Sequence, residues 1–382
     1  MMAIDTESFV PLMEKSLGFE GLKRDVVDQD LCSGCGACGS FCDRIEVDED
    51  GAKLVKDCTL ELGSIKCGDD GTCYDNCPMV SHSRAELDEA SFGKTREDPV
   101  LGVYEKIVAV KAKDKAIQKA GQDGGAVTAL LQCAVDTGMV VGAGVAPRDD
   151  EWKPEPEIAS KKDDLKKSAG TKYARATTPI AFGKSFSDQR RLAVVGTGCQ
   201  IEGMRRIHEN LLKDAFEKTR ESDKPLDSLL IGLFCYENFP YTKIREKLES
   251  EPFNVDLKNV AKTDIIKGKI IVTLKKGKEI VHPVKMFNDI VPDCCNLCDD
   301  FAATFADISV GSVGSKDGWS TVMVRSKKGL ELLETAEKKG YVQVSKEASA
   351  EVVKKTSDSK NKKREAVRER RQGGGALIPT YA

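Results

Sequence analysis

From residue 101 onward the apolar positions follow two alternating rhythms. Short, nearly continuous runs at 104–111 (YEKIVAVK), 140–145, 191–196 (RLAVVG), 229–234, 308–313 and 320–325 read as buried strands. Between them, 126–137 (AVTALLQCAVDT), 201–212 and 241–249 carry the three-to-four spacing of amphipathic helices, with shorter helices at 163–169 and 179–187. Residues 270–275 and 279–283 flank Lys276-Gly277 and predict a hairpin. Strands that alternate with helices define an α/β (α+β) core with a mainly parallel or mixed sheet over 101–326.

Outside that span the pattern changes. Residues 1–30 read as a helical arm. Residues 31–80 form a small inserted domain, with a hairpin of 45–47 and 53–55 about the turn Asp48-Glu49-Asp50-Gly51. Residues 81–100 are polar and read as a linker. Residues 327–382 form a charged helical tail whose basic run at 360–371 reads as a solvated helix, or as a surface that docks a partner, and Gly373–Gly375 ends it.

The inserted domain holds eight of the chain's 14 cysteines. Cys32, Cys35, Cys38 and Cys42 follow the C-x₂-C-x₂-C-x₃-C run of bacterial-type two-cluster ferredoxins, and Cys58, Cys67, Cys73 and Cys77-Pro78 form a second run with the matching Cys-Pro. Because the fourth cysteine of each run crosses over, one [4Fe–4S] cluster is assigned to Cys32, Cys35, Cys38 and Cys77, and the other to Cys42, Cys58, Cys67 and Cys73. Cys42 is followed by Asp43 rather than proline, and the second run is stretched. Paired zinc sites and a disulfide framework are the competing uses of such cysteines. The second needs an oxidising compartment. The amino-terminal sequence has no apolar signal core, so the reading is a cytoplasmic chain and a bacterial-type 2[4Fe–4S] ferredoxin-like domain.

Composition narrows the class further. The chain has 382 residues with a net charge of −3, which gives no basic field for nucleic acid. No apolar run approaches the roughly 18 residues of a membrane span, so any membrane association would go through partner subunits. The three histidines, His82, His208 and His282, read as surface residues, and Cys133 as a core residue on the apolar face of its helix.

A second set of cysteines lies in the core. Cys199 follows the 191–196 strand and Cys235 follows the 229–234 strand, and ligands in α/β sheets gather beyond the carboxyl ends of strands. These two could meet Cys298 and either Cys295 or Cys294 to make a third four-thiolate site; buried free cysteines are the alternative. Three glycine-bearing segments accompany them: Gln122-Asp123-Gly124-Gly125 ahead of a helix, Gly170-Thr171-Lys172-Tyr173, and 311–321 with Ser312, Gly314 and Trp319. A Gly-Gly that enters a helix offers bare N–H groups to a pyrophosphate, Lys172 adds a charge, and Trp319 an aromatic face. None matches the G-x-G-x-x-G dinucleotide fingerprint, and each on its own also reads as a structural turn.

The segments AGQDGGAVTALL, SAGTKYARATTP, VVGTGCQIEGMRRI, LIGLFCYENFPYTKI and CNLCDDFAATFADISVGSVGSKDGWSTV, with the basic tail, resemble the family of coenzyme F420 hydrogenase and dehydrogenase β subunits over about 101–326. With its two-cluster domain the chain is most similar to the F420H₂ dehydrogenase branch, whose members oxidise F420H₂ at the input end of a complex, and to the front half of F420-dependent sulfite reductases. The resemblance implies FAD, three [4Fe–4S] clusters in all and coenzyme F420 as substrate. It implies that the core cluster is held by Cys199, Cys235, Cys295 and Cys298, with Cys294 a bystander. It also implies that FAD is held by the turns at Gly124, Gly125 and Thr128, at Gly170, Thr171, Lys172 and Tyr173, and at Ser312, Gly314 and Trp319. The implied chemistry is reversible hydride transfer between F420 and FAD, then single-electron transfer through the clusters to other subunits of an electron-transfer complex, such as a membrane F420H₂ dehydrogenase. The rival readings are the β subunit of a soluble F420-dependent hydrogenase or formate dehydrogenase, a flavin-free iron–sulfur relay, an NAD(P)H-dependent flavin reductase, and a scaffold that turns over neither donor. No side chain is singled out as the acid or base.

Overall fold

The computed structural model describes residues 18–56, 58, 72–184, 191–209, 228–373 and 379. Cys67 and most of the 1–30 arm lie outside them. In chain order the strands are β1 (Ile45–Asp48), β2 (Gly51–Leu54), β3 (Lys106–Ala112), β4 (Gly142–Val145), β5 (Glu157–Ala159), β6 (Leu192–Thr197), β7 (Leu229–Leu233), β8 (Val260–Ile266), β9 (Lys269–Leu274), β10 (Glu279–Pro283), β11 (Ile308–Gly311), β12 (Ser320–Val324) and β13 (Val342–Ser345). Eight of them form one sheet in the order β13-β3-β12-β11-β7-β6-β4-β5. Its centre is parallel, with β4, β6, β7 and β11 running together. β12, β13 and β5 run against their neighbours, which makes the sheet mixed, as the alternating pattern predicts.

The continuous apolar runs exist because both faces of this sheet are covered. Leu229 and Ile231 of β7 point into the core beneath the Ala126–Asp136 and Lys327–Lys338 helices, while Leu230 points to the other face, against Ile201 and Met204 of the Gly198–Ile207 helix. A separate antiparallel sheet of β8, β9 and β10 packs its Val260, Ile270 and Val272 with Phe239, Ile244 and Phe287.

Several elements depart from the sequence reading. β13 extends the sheet beyond β3 at 342–345, a four-residue strand too short to show a period. β8 was hidden because Lys262 and Asp264 interrupt its apolar run. The polar stretch 81–100 contains a helix, Arg84–Phe92, capped by Ser83, and its Asp88 is fully buried because Arg96 grips both carboxylate oxygens at 2.6 and 2.8 Å. Charge pairing, which a hydropathy reading does not register, holds this segment in place. The histidines are half-buried and engaged rather than open surface residues: His82 lies 3.0 Å from Glu202, His208 bonds Ser228, and His282 packs 4.4 Å from the Phe253 ring.

The basic carboxyl-terminal helix, Ala350–Gly373, is solvated on one face only. Val353, Ser357, Lys360, Arg364 and Val367 form a buried stripe at three-to-four spacing. Lys360 and Arg364 reach backbone carbonyls of the cysteine loops, with Arg364 Nε donating to Leu297 O at 2.8 Å. Lys363 pairs with Glu237 and Arg371 with Asp293, at 2.7 and 2.6 Å.

Candidate redox site

The carboxyl ends of β6 and β7 deliver Cys199 and Cys235 to the same edge of the sheet. The short Asp293–Leu297 helix and its C-cap bring Cys295 and Cys298 to meet them. These four cysteines line one cavity, together with Cys294, Cys35, Arg175 and Lys360. Burial raises the thiols of Cys199, Cys235 and Cys298, the last to about 12, and mutual repulsion among the sulfurs adds to it. Cys295 is lowered to about 6 by its hydrogen bond from Cys294, which is raised in turn. Thiols crowded this way are stable as thiolates only when a cationic centre shares their charge. Such a donor set suits an iron–sulfur cluster held by four thiolates. Among the described residues no group of three or more His, Cys, Asp or Glu side chains forms a site for a single metal ion.

Lys360 supplies a fixed positive charge at this cavity. Its Nζ donates to Cys235 O and to Asp300 O, each at 2.8 Å. Burial works against the ammonium, but the Cys298 and Cys235 thiols and Asp300 outweigh it and hold its pKa well above the ordinary value.

The amino-terminal cysteines gather directly beside this cavity. Cys32, Cys35, Cys38 and Cys77 are electrostatic neighbours of one another, and burial drives Cys77 up to about 12. Gly51, at the start of β2, lies against Cys32, where a Cβ would stand 3.1 Å from its sulfur. Arg206, from the Gly198–Ile207 helix, donates to Cys77 O at 2.7 Å and so fastens this loop to the core. Cys35 also faces Cys199, which puts the two cysteine groups next to each other. Of the other expected set, Cys73 is buried, Cys42 and Cys58 are half-buried, and Cys67 lies outside the described residues.

The three glycine segments are brought together, and the 122–125 turn is their hub. Gly124, at φ +68°, approaches Gly318 and Lys111 so closely that a Cβ would stand 3.1 Å from either. The Asp123 carboxylate accepts from Ser312 Oγ and its backbone carbonyl from Ser320 Oγ. Gln122 accepts from Thr171 N at 3.1 Å and donates to Asp264 of β8. Thr171 O accepts from Thr263 Oγ1 at 3.0 Å, and Tyr173 OH accepts from Ile265 N at 2.9 Å. Gly314 abuts Val353 of the carboxyl-terminal helix. Thr128 is buried in the first turn of the Ala126–Asp136 helix. Two details differ from the sequence reading. The Lys172 ammonium is buried against Ser168 O and Ala169 O, at 2.6 and 3.4 Å, and burial lowers its pKa to about 7, so it offers no free surface charge. One face of Trp319 is occupied by Lys111, whose Nζ lies 4.4 Å from the ring centre.

The segment from Gly170 to Arg175 connects the two sites. Thr171 touches the glycine hub, and Phe239 N donates to Tyr173 O at 3.1 Å. Arg175 N donates back to Phe239 O at 2.8 Å, and the Arg175 side chain lines the cysteine cavity. Four residues of chain span at most about 14 Å, so hub and cavity are close neighbours. Sequence reasoning missed Arg175 and Lys360. The signals for them were an arginine two residues after a glycine-bearing segment, and a polar stripe at helical spacing.

The α/β fold thus sets a four-cysteine cavity beside a glycine-turn hub at the carboxyl edge of a mixed sheet. The family profiles described as coenzyme F420 hydrogenase/dehydrogenase, beta subunit N-term and C terminus match residues 107–181 and 189–350. The chain belongs to this family. It is 31% identical to the coenzyme F420-dependent sulfite reductase of Methanocaldococcus jannaschii over 95% of its own length, and spans about half (54%) of that relative. It is 30% identical to a subunit of the F(420)H(2) dehydrogenase of Methanosarcina mazei, over 80% of this chain and 82% of that one. A chain of the solved F420-reducing [NiFe] hydrogenase complex from Methanosarcina barkeri superimposes with a TM-score of 0.66 at 32% identity, covering 74% of this chain and 98% of that one.

Proposed function

We propose that this chain is an F420-linked oxidoreductase subunit. It would pass a hydride reversibly between coenzyme F420 and a bound FAD, and move the electrons one at a time through three [4Fe–4S] clusters to a partner subunit. The observation that carries this reading is the connection made by 170–175, a glycine hub at one end and a four-cysteine cavity at the other. When bound, the flavin supplies the exchange between two-electron and one-electron chemistry that the clusters cannot perform.

The chain's own residues would do three things. The backbone at Gly124 and Gly125 opens the Ala126–Asp136 helix and presents N–H groups to a pyrophosphate. The Ser312 and Ser320 hydroxyls, both held by Asp123, and Gln122 keep the other two segments against that turn. Cys199, Cys235, Cys295 and Cys298 would hold the core cluster, and Cys32, Cys35, Cys38 and Cys77 the one beside it. The remaining cluster would rest on Cys42, Cys58, Cys67 and Cys73 in a ferredoxin-like domain.

The likeness to the F(420)H(2) dehydrogenase chain and to the sulfite reductase extends over more of this protein than the likeness to the hydrogenase chain does. That favours a dehydrogenase-type complex as partner over a soluble hydrogenase or formate dehydrogenase. Among the described residues no helix is long and apolar enough to cross a membrane, so a membrane complex would be reached through other subunits. The test is a dye-coupled anaerobic assay of the purified chain, with its iron, sulfide and flavin content measured first. Oxidation of reduced F420 but not of NADH supports the reading. A fully loaded protein that turns over NADH alone, or neither donor, contradicts it.

A further inference from the structure

Arg175 lies between the two cysteine groups, and among the described residues it forms no ion pair with a carboxylate. Its NH1 donates to Glu49 O in the β1–β2 turn at 2.8 Å, and its NH2 donates to Cys294 Sγ at 2.9 Å. Its Nε is buried and has no hydrogen-bond partner among the described residues. The groups it faces are sulfurs: Cys294, Cys295 and Cys199 on the core side, and Cys32 on the amino-terminal side. A cation withdrawn from water is destabilising unless anions compensate it, and here the strongest compensating groups are the sulfur sites. The backbone holds the arm in this position, because Arg175 N is bonded to Phe239 O just beyond Cys235.

We propose that Arg175 is the shared charge that couples the core cluster to the neighbouring amino-terminal cluster, stabilising an added electron on either of them. This rests on the reading that both cysteine groups hold clusters. One-electron reduction adds one negative charge to a cluster and no proton is required. A guanidinium fixed between the two favours that charge on both sides, so their potentials rise together and an electron meets no deep trap on crossing. Lysine would keep the charge but could not bridge Glu49 O and Cys294 Sγ with a planar fork.

The experiment is an EPR-monitored redox titration of the full, cluster-loaded chain in wild type, Arg175→Gln and Cys294→Asp. The second variant keeps the arginine but pairs it with a carboxylate. Both changes are expected to lower the midpoint potentials of both clusters, by about tenfold in each reduction equilibrium constant, or about 59 mV for a one-electron couple. If Arg175→Gln fails to load iron, Cys294→Asp decides the matter. Unmoved midpoints, or a shift in one cluster alone, overturn the coupling. A wild-type chain without [4Fe–4S] signals overturns the underlying reading, and the coupling with it.

Discussion

Lys360 donates to the carbonyl oxygen of Cys235 at 2.8 Å, so the carboxyl-terminal helix is fastened to the backbone of an expected cluster ligand. The same ammonium holds Asp300 O at 2.8 Å, on the loop just after Cys298. Replacing it with methionine strands two buried carbonyls, at about 1–3 kcal/mol each, and removes a cation that faces the thiolates. Lys360→Met should lower the melting temperature by several degrees and weaken the core cluster's EPR signal while sparing the amino-terminal one. Anaerobic thermal melts and EPR on the same samples check this.

Cysteine substitutions should separate ligands from bystanders. Serine at Cys199, Cys235, Cys295 or Cys298 should each remove the core cluster's iron and its signal. Cys133, buried in the Ala126–Asp136 helix, should tolerate serine with iron content unchanged. Cys294→Ala should also retain the cluster, because its sulfur binds Arg175. Iron and sulfide analysis of the purified variants gives the answer directly.

The glycine hub predicts a graded response to alanine. At Gly124 an added Cβ meets Gly318 O, Lys111 Cβ and Val110 O at 3.1 Å, and the φ of +68° strains any side chain. Gly124→Ala should cost on the order of 1–3 kcal/mol and release flavin. Gly138→Ala has a similar φ of +71° but open space around it, so it should cost about 1 kcal/mol and keep its flavin. Denaturant titration together with flavin fluorescence of the filtrate distinguishes the two.

Lys172 gives a pH signature. Burial lowers its pKa from the ordinary 10.5 to about 7, so between these values the unfolded chain binds more protons than the folded one. Stability should therefore rise as pH increases from about 7 toward 10.5. Lys172→Met should lack this component. The difference in melting temperature between wild type and variant, followed across that range, should widen in favour of the wild type as pH rises.

What was legible in the sequence, and what was not, follows from the kind of interaction. The runs around Leu229–Leu233 and Ile308–Gly311 stand out because both faces of a central strand are buried. Cys199 and Cys235 stand out because each follows such a strand. Arg175, Lys360 and Asp88 do not, since each is a polar side chain, half-buried in the first case and buried in the others, set against carbonyls, sulfurs or a counter-charge. The stripe Val353, Ser357, Lys360, Arg364 and Val367 has the spacing of a packed helix face but not its apolar composition, so it reads as solvated.

The most direct test of the converter role is anaerobic stopped-flow spectroscopy of the cluster-loaded chain mixed with reduced F420, with NADH as control. The account predicts rapid F420 reoxidation with flavin bleaching, followed by a slower loss of cluster absorbance, and no response to NADH. Cluster bleaching that precedes flavin bleaching, or no reaction with reduced F420 at full iron and flavin content, would contradict it.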